Sequence, residues 1–143
     1  MNNALHIVAS CLVLVLLTCV VGLRLLYVRA IEMRRNRIHP QAVSTSLQVA
    51  TTLKNVQAAD NFRNLFEVPV LFYALVAMSL ATAQVPAWLV FGAWSYVALR
   101  IAHSAIHCTY INVMHRFAVF GASFAVLVAL WVSFFITLSM KSA

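Results

Sequence analysis

The sequence predicts an all-α integral membrane protein, a bundle of four transmembrane helices forming a single domain over residues 1–143. Three observations carry that expectation. First, 64% of the 143 residues are hydrophobic and only 9% are charged, against about 45–50% and about 25% in soluble domains. That leaves too few charges for the surface of a soluble enzyme, and the bias is opposite to that of a disordered chain. Second, four apolar stretches approach the roughly 20 residues that a helix needs to cross about 30 Å of hydrocarbon. Third, ten Lys and Arg face three Asp and Glu, a formal net charge of +7. In a soluble protein this excess would suggest nucleic acid. In so apolar a chain it points instead to a lipid bilayer as the partner, with sidedness set by where the positives lie.

The first span, expected over about residues 5–28, is uncharged from Ile7 to Leu23. Its leader has no Lys or Arg and no small-x-small cleavage pattern follows, so it reads as a permanent helix rather than a signal peptide. Residues 34–40 are expected to be non-helical, with basic side chains anchored at lipid headgroups for about 1 kcal/mol each. From Ser46 onward helix breakers are few, and Ser44 or Ser46 could cap a helix. The second helix is therefore expected to begin well before its membrane span, about 62–83. A tight uncharged turn around Gln84 and Pro86 leads to the third span, about 87–110. The fourth, about 116–140, is flanked by Arg116 and Lys141. Nine of the ten positive residues fall in or beside the first and third connections. The positive-inside rule then places these connections in the cytoplasm and both termini outside. In a bacterium this would be the inner membrane.

Cys11, Cys19 and Cys108 show no Cys-x-x-Cys spacing and read as small structural hydrophobes. Three glycines leave no phosphate-binding loop, and no nucleophile elbow is present.

The informative residues are polar groups inside apolar spans, where charge costs about 2.5–3.5 kcal/mol and marks function. Arg63, Asn64 and Glu67 share one face of the second helix, by i,i+3 and i,i+4 spacing. Arg100, His103 and His107 form one stripe on the third, and Arg116 opens the fourth. Arg100 lies thirteen residues after Ala87, about 20 Å from the outer surface. Helices running in alternating directions thus bring their polar residues to one depth. Taken singly, Arg63 and Glu67 could pair within their helix and Arg116 could snorkel to the interface. Together, three arginines against one Glu call for an anionic ligand. His103 and His107 have a metal-compatible spacing, but three nearby arginines and the lack of a third ligand argue against a metal.

At these residues the sequence resembles the MAPEG family, the membrane-associated proteins in eicosanoid and glutathione metabolism. The resemblance rests on Asp60-Asn61-Phe62-Arg63-Asn64-Leu65-Phe66-Glu67 and on Arg100-Ile101-Ala102-His103-Ser104 leading to Arg116. It covers nearly the whole chain and suggests a bacterial-type member. It implies a homotrimer with glutathione, as co-substrate, held at subunit interfaces by residues matching Arg63, Asn64, Glu67, Arg100 and His103. His107 joins this set by its place on the stripe. A basic residue near the end of helix one contributes in some members, a part for which Arg34 or Arg37 is the candidate. The resemblance makes Arg116 the catalytic residue, stabilising the glutathione thiolate.

The chemistry fits, since glutathione carries two carboxylates and one ammonium that several arginines and a Glu would complement. The expected activity is a glutathione-dependent transferase or peroxidase acting on hydrophobic electrophiles or lipid hydroperoxides that arrive from the bilayer. The chain departs from some relatives by carrying His107, Phe117 and Phe120 where they have Tyr, Ser and Tyr, leaving Tyr110 or Ser104 as substitute hydroxyls. Those departures favour the alternative, a non-catalytic glutathione-binding or scaffold protein of the same fold.

Overall fold

The computed structural model describes residues 2–109 and 113–142. Helix α1 spans Asn3–Arg35, with the Asn2 side chain accepting a hydrogen bond from the Leu5 amide at 3.4 Å. Its 33 residues reach about 50 Å at 1.5 Å per residue, well beyond the hydrocarbon thickness. No proline interrupts it. It stops where Arg37 takes up a left-handed conformation with φ 53°, and the Ile38 amide bonds back to the Met33 carbonyl at 2.9 Å. This corrects the expectation that residues 34–40 are non-helical: Arg34 and Arg35 form the last turn of α1, where positive charge complements the helix dipole.

The chain then folds back through a 3-10 turn, Pro40–Val43, into the short helix α2, Ser46–Thr52. Thr45, rather than Ser44 or Ser46, is the cap: its hydroxyl accepts from the Gln48 amide while the Gln48 side chain accepts from the Thr45 amide. Leu53 is extended and buried, so α2 ends there and the second membrane helix does not reach back to Ser46. Two amides after the break, those of Lys54 and Asn55, donate to the Glu32 carboxylate at 2.6 and 3.2 Å, tying the returning strand of chain to α1.

The second span has two pieces, α3 (Gln57–Glu67) and α4 (Pro69–Ala81). Pro69 has no N–H, so the helical ladder is interrupted just after Glu67. Ala83, with φ 54°, ends α4 and the turn leads to α5 (Ala87–Thr109); α6 runs Val113–Ser142. Four long apolar segments, Asn3–Arg35, Gln57–Ala81, Ala87–Cys108 and Val113–Lys141, are able to cross a membrane.

Helix α5 is the central element, packing on α1, α3 and α6. Its Leu89, Tyr96 and Val97 meet Ile7 and Leu14 of α1, Phe72 and Leu75 of α4, and Leu127 and Phe134 of α6 in one buried cluster. Gly92 lets α5 and α6 approach, because a β-carbon there would collide with Leu130. Large apolar side chains also cover the outside of the bundle, with Val20, Leu23 and Leu26 each more than 60% exposed. Such a surface is stable only against lipid or another apolar face, and the chain is an integral membrane protein.

Candidate functional site

The interruption at Pro69 builds the first wall of the site. A helix leaves its last four carbonyls without intrahelical donors, and in α3 these include the carbonyl of Asn64. Arg100 of α5 meets it, its Nη2 donating to the Asn64 oxygen at 2.6 Å. The Arg100 side chain is wholly buried, with its guanidinium carbon 5.8 Å from the Phe120 ring centroid. Its Nε and Nη1, and both ring nitrogens of the buried His103, have no hydrogen-bond partner among the described residues.

The second wall comes from the end of α5 and the start of α6. Arg116 lies one turn inside α6, its Nη1 3.0 Å from His107 Nε2. A guanidinium can only donate, so His107 Nε2 is the acceptor and its ring proton is on Nδ1. The His103 ring lies 5.9 Å from that of His107 and 5.8 Å from that of Phe120, measured between centroids.

Behind both walls, α1, α3 and α5 are joined by polar bonds. Ser104 donates to Asn61 Oδ1 at 3.2 Å, and Asn61 Nδ2 donates to Cys108 Sγ at 3.3 Å. Arg24 of α1 donates to the Cys108 carbonyl at 2.8 Å. Asn61 and Ser104 are buried, and satisfying them across helices fixes the register of α3 on α5.

Between the walls lies a cavity of about 420 Å³, within the size range of small-molecule sites. Arg63, Asn64 and Glu67 line it from α3, His103 and His107 from α5, and Arg116, Phe117 and Phe120 from α6. Six of the nine residues singled out in the sequence are therefore brought together, and three are not. Arg100 stands behind the wall, bound to the Asn64 backbone. Arg34 at the end of α1 and Arg37 just beyond it are exposed, and neither lines the cavity.

Asp60 also lines the cavity, and nothing in the sequence reading gave it a role. Its spacing to Arg63, Asn64 and Glu67 follows one helical face, so the periodicity that grouped those three extends to it. Asp60 also revises the charge balance. The wall itself presents two arginines and two carboxylates, and the surplus cation is the buried Arg100. This pattern suits a zwitterion carrying both carboxylate and ammonium better than a simple anion. Of the substitute hydroxyls, Ser104 is committed to Asn61, and Tyr110 lies outside the described residues.

No curated protein and no solved structure shows significant similarity to the chain. A match to the MAPEG family covers residues 6–136. With nearly the whole four-helix chain inside that match, the protein belongs to the MAPEG family of glutathione-related membrane proteins.

Proposed function

We propose that the protein is a glutathione-dependent membrane transferase or peroxidase acting on hydrophobic electrophiles or lipid hydroperoxides. The observation that carries this reading is the pairing of charges around one cavity: Arg63 and Arg116 with Asp60 and Glu67, in a member of a family that commonly uses glutathione. The residues fit the tripeptide, because the guanidinium groups complement its two carboxylates and an acidic side chain its ammonium. Bound glutathione supplies a thiol as the nucleophile. Arg116, held by His107, lowers the energy of the thiolate relative to the thiol. Arg63, Asn64 and Glu67 orient the tripeptide, and Arg100 holds the backbone that carries them.

The reading includes a homotrimer. Arg63 and Glu67 are exposed, and Phe117 on the same cavity is 71% exposed. A second copy packed over this face would close the cavity while leaving a lipid-facing entrance for the hydrophobic substrate. Positive charge in the first and third connections supports an orientation with that end of the bundle in the cytoplasm.

Titration of glutathione into purified protein tests the binding step, and conjugation of a chlorodinitroarene together with reduction of an organic hydroperoxide tests turnover. Saturable binding with either activity is expected, and no binding would overturn the proposal. Phe117 and Phe120, which bring apolar rings to the cavity where a hydroxyl would assist a thiolate, favour one second reading: a glutathione-binding protein without turnover. Binding with neither activity would select it.

A further inference from the structure

Three acidic residues face ten basic ones in this chain. Asp60 and Glu67 line the first cavity, which leaves Glu32 as the carboxylate of α1. Its two oxygens accept from the amides of Lys54 and Asn55, so the returning chain is fixed to α1 through its backbone. The side chains of Arg35 and Lys54 share a cavity of about 440 Å³ with Glu32, and Tyr27, Val28 and Ile31 line its other end. Two cations against one carboxylate leave the cavity with one net positive charge.

The cavity is graded along the membrane normal. Tyr27, Ile31 and Arg35 follow i,i+4 spacing and form one stripe of α1, with the charged residue last. Asn3 donates its side-chain amide to the Val85 carbonyl at 2.9 Å, so α1 starts level with the turn between α4 and α5, in one headgroup layer. Tyr27 lies 24 residues further on, about 36 Å along the axis, at the far edge of the hydrocarbon. Arg35 follows at about 48 Å, at the water side of the opposite headgroup layer. Helical side chains lean toward the N-terminus, which here is the bilayer side, so Glu32 and Arg35 reach back among the headgroups. Tyr27, 67% exposed, and Ile31 open the apolar end toward lipid. The apolar end thus faces the bilayer centre and the charged end faces water, the orientation of a phospholipid in that leaflet.

We propose that this cavity holds one anionic phospholipid, of the phosphatidylglycerol kind, from the leaflet at the C-terminal end of α1. Arg35 and Lys54 donate to its phosphate oxygens. Its glycerol and the first carbons of its acyl chains lie against Tyr27, Val28 and Ile31. Charge balance chooses the headgroup, because a lipid of net charge −1 cancels the single excess positive. A phosphatidylethanolamine or phosphatidylcholine is neutral as a whole, leaves that excess in place and brings an ammonium beside two cations. Glu32, with both oxygens already accepting amide protons, is not waiting for that ammonium. The bound phosphate joins α1 to the returning chain beside the Glu32 bonds and pins residues 36–56 to the membrane surface. This role is independent of the glutathione reading.

The full chain is reconstituted in equimolar phosphatidylglycerol, phosphatidylethanolamine and phosphatidylcholine, re-extracted in mild detergent, and its retained lipid measured by mass spectrometry. Wild-type protein is expected to keep close to one phosphatidylglycerol per chain, with the other two lipids about tenfold lower. Arg35→Gln, which removes one charge-assisted contact, is expected to keep about tenfold less phosphatidylglycerol. Ile31→Glu tests the same site without weakening α1, because its carboxylate pairs with Arg35 at i,i+4 and competes with the phosphate. The same loss is expected there with helical circular dichroism intact. Arg37→Gln makes the same change of net charge as Arg35→Gln at an exposed position outside the cavity and is expected to keep the wild-type amount. Excess inorganic phosphate is expected to leave the lipid in place. The proposal is overturned if no lipid is kept, or if the three are kept in the proportions supplied. Wild-type retention by folded Ile31→Glu, equal losses in Arg37→Gln and Arg35→Gln, or release by inorganic phosphate would each overturn it as well.

Discussion

Arg100 of α5 donates its Nη2 hydrogen to the carbonyl oxygen of Asn64 on α3, at 2.6 Å, where Pro69 interrupts the second span. The bond joins a sequence feature that looks like a helix breaker to one that looks like a misplaced charge. Proline ends the α3 ladder, the ending exposes a carbonyl, and the arginine is buried in order to answer it. Asn64 and Glu67, at this end of α3, are thereby aimed into the cavity from a fixed backbone.

Arg100 therefore acts by positioning, and Arg100→Met should separate stability from binding. Removing the guanidinium gives up a bond to a carbonyl but also relieves the desolvation of a wholly buried charge, two effects that largely offset. The expected change in unfolding free energy is within about 1 kcal/mol. Glutathione affinity is expected to fall about tenfold as Asn64 loses its tether, equivalent to about 1.4 kcal/mol. Unchanged affinity by calorimetry would remove the positioning role.

The Arg116–His107 contact, 3.0 Å between Nη1 and Nε2, gives a prediction with an internal rescue. Arg116→Ala is expected to bind glutathione within a fewfold of wild type while conjugation slows by about 100-fold or more, the loss typical when one preorganised charge is removed. His107→Phe keeps the ring and loses the acceptor, so conjugation should fall by about tenfold with a smaller effect on binding. His107→Gln restores an acceptor and should recover part of the rate. Should His107→Phe and His107→Gln lose activity equally, the ring and not its acceptor would be what matters.

Much of this site was legible in the sequence because helix spacing and depth are one-dimensional quantities. Arg63, Asn64 and Glu67 fall on one face by counting, and the level of Arg100 follows from helical rise. What counting could not supply was direction across the bundle. Arg100 and His103 occupy the same stripe of α5, yet His103 lines the cavity and Arg100 stands behind it. The choice depends on which carbonyl of α3 is left open, a tertiary matter. The Asn61–Ser104–Cys108 bonds were hidden for the same reason, since each residue alone is an ordinary small polar side chain. The end of α1 was misplaced because its left-handed residue is Arg37, where glycine would have signalled a stop.

The end of α4 carries a similar irregularity that can be improved. Ala83 holds φ 54°, and the amide of Gln84 bonds to the Ser79 carbonyl at 2.8 Å across it. A left-handed alanine costs about 1–2 kcal/mol that glycine does not incur, partly offset by glycine's greater freedom when unfolded. Ala83→Gly is expected to raise stability by about 0.5–1 kcal/mol. The position is exposed, so no packing is lost. A lower melting temperature in detergent would contradict the turn geometry.

Two glycines on packed helices should respond to alanine with opposite signs. Both gain about 1 kcal/mol of helix propensity on replacement. At Gly92 the added methyl collides with the buried Leu130, so α5 and α6 must separate or Leu130 must leave its rotamer, at about 1–3 kcal/mol. Gly92→Ala is therefore expected to destabilise, with Leu130→Ala in the same chain relieving part of the loss. At Gly121 nothing lies within 4 Å of the added carbon, and Gly121→Ala should stabilise the single chain. If a second copy packs closely against that stretch of α6, the sign reverses, and the loss appears as weakened assembly in native mass spectrometry. Thermal melts and mass spectra of both variants thus test the α5–α6 contact and whether Gly121 faces lipid or protein in the assembled state.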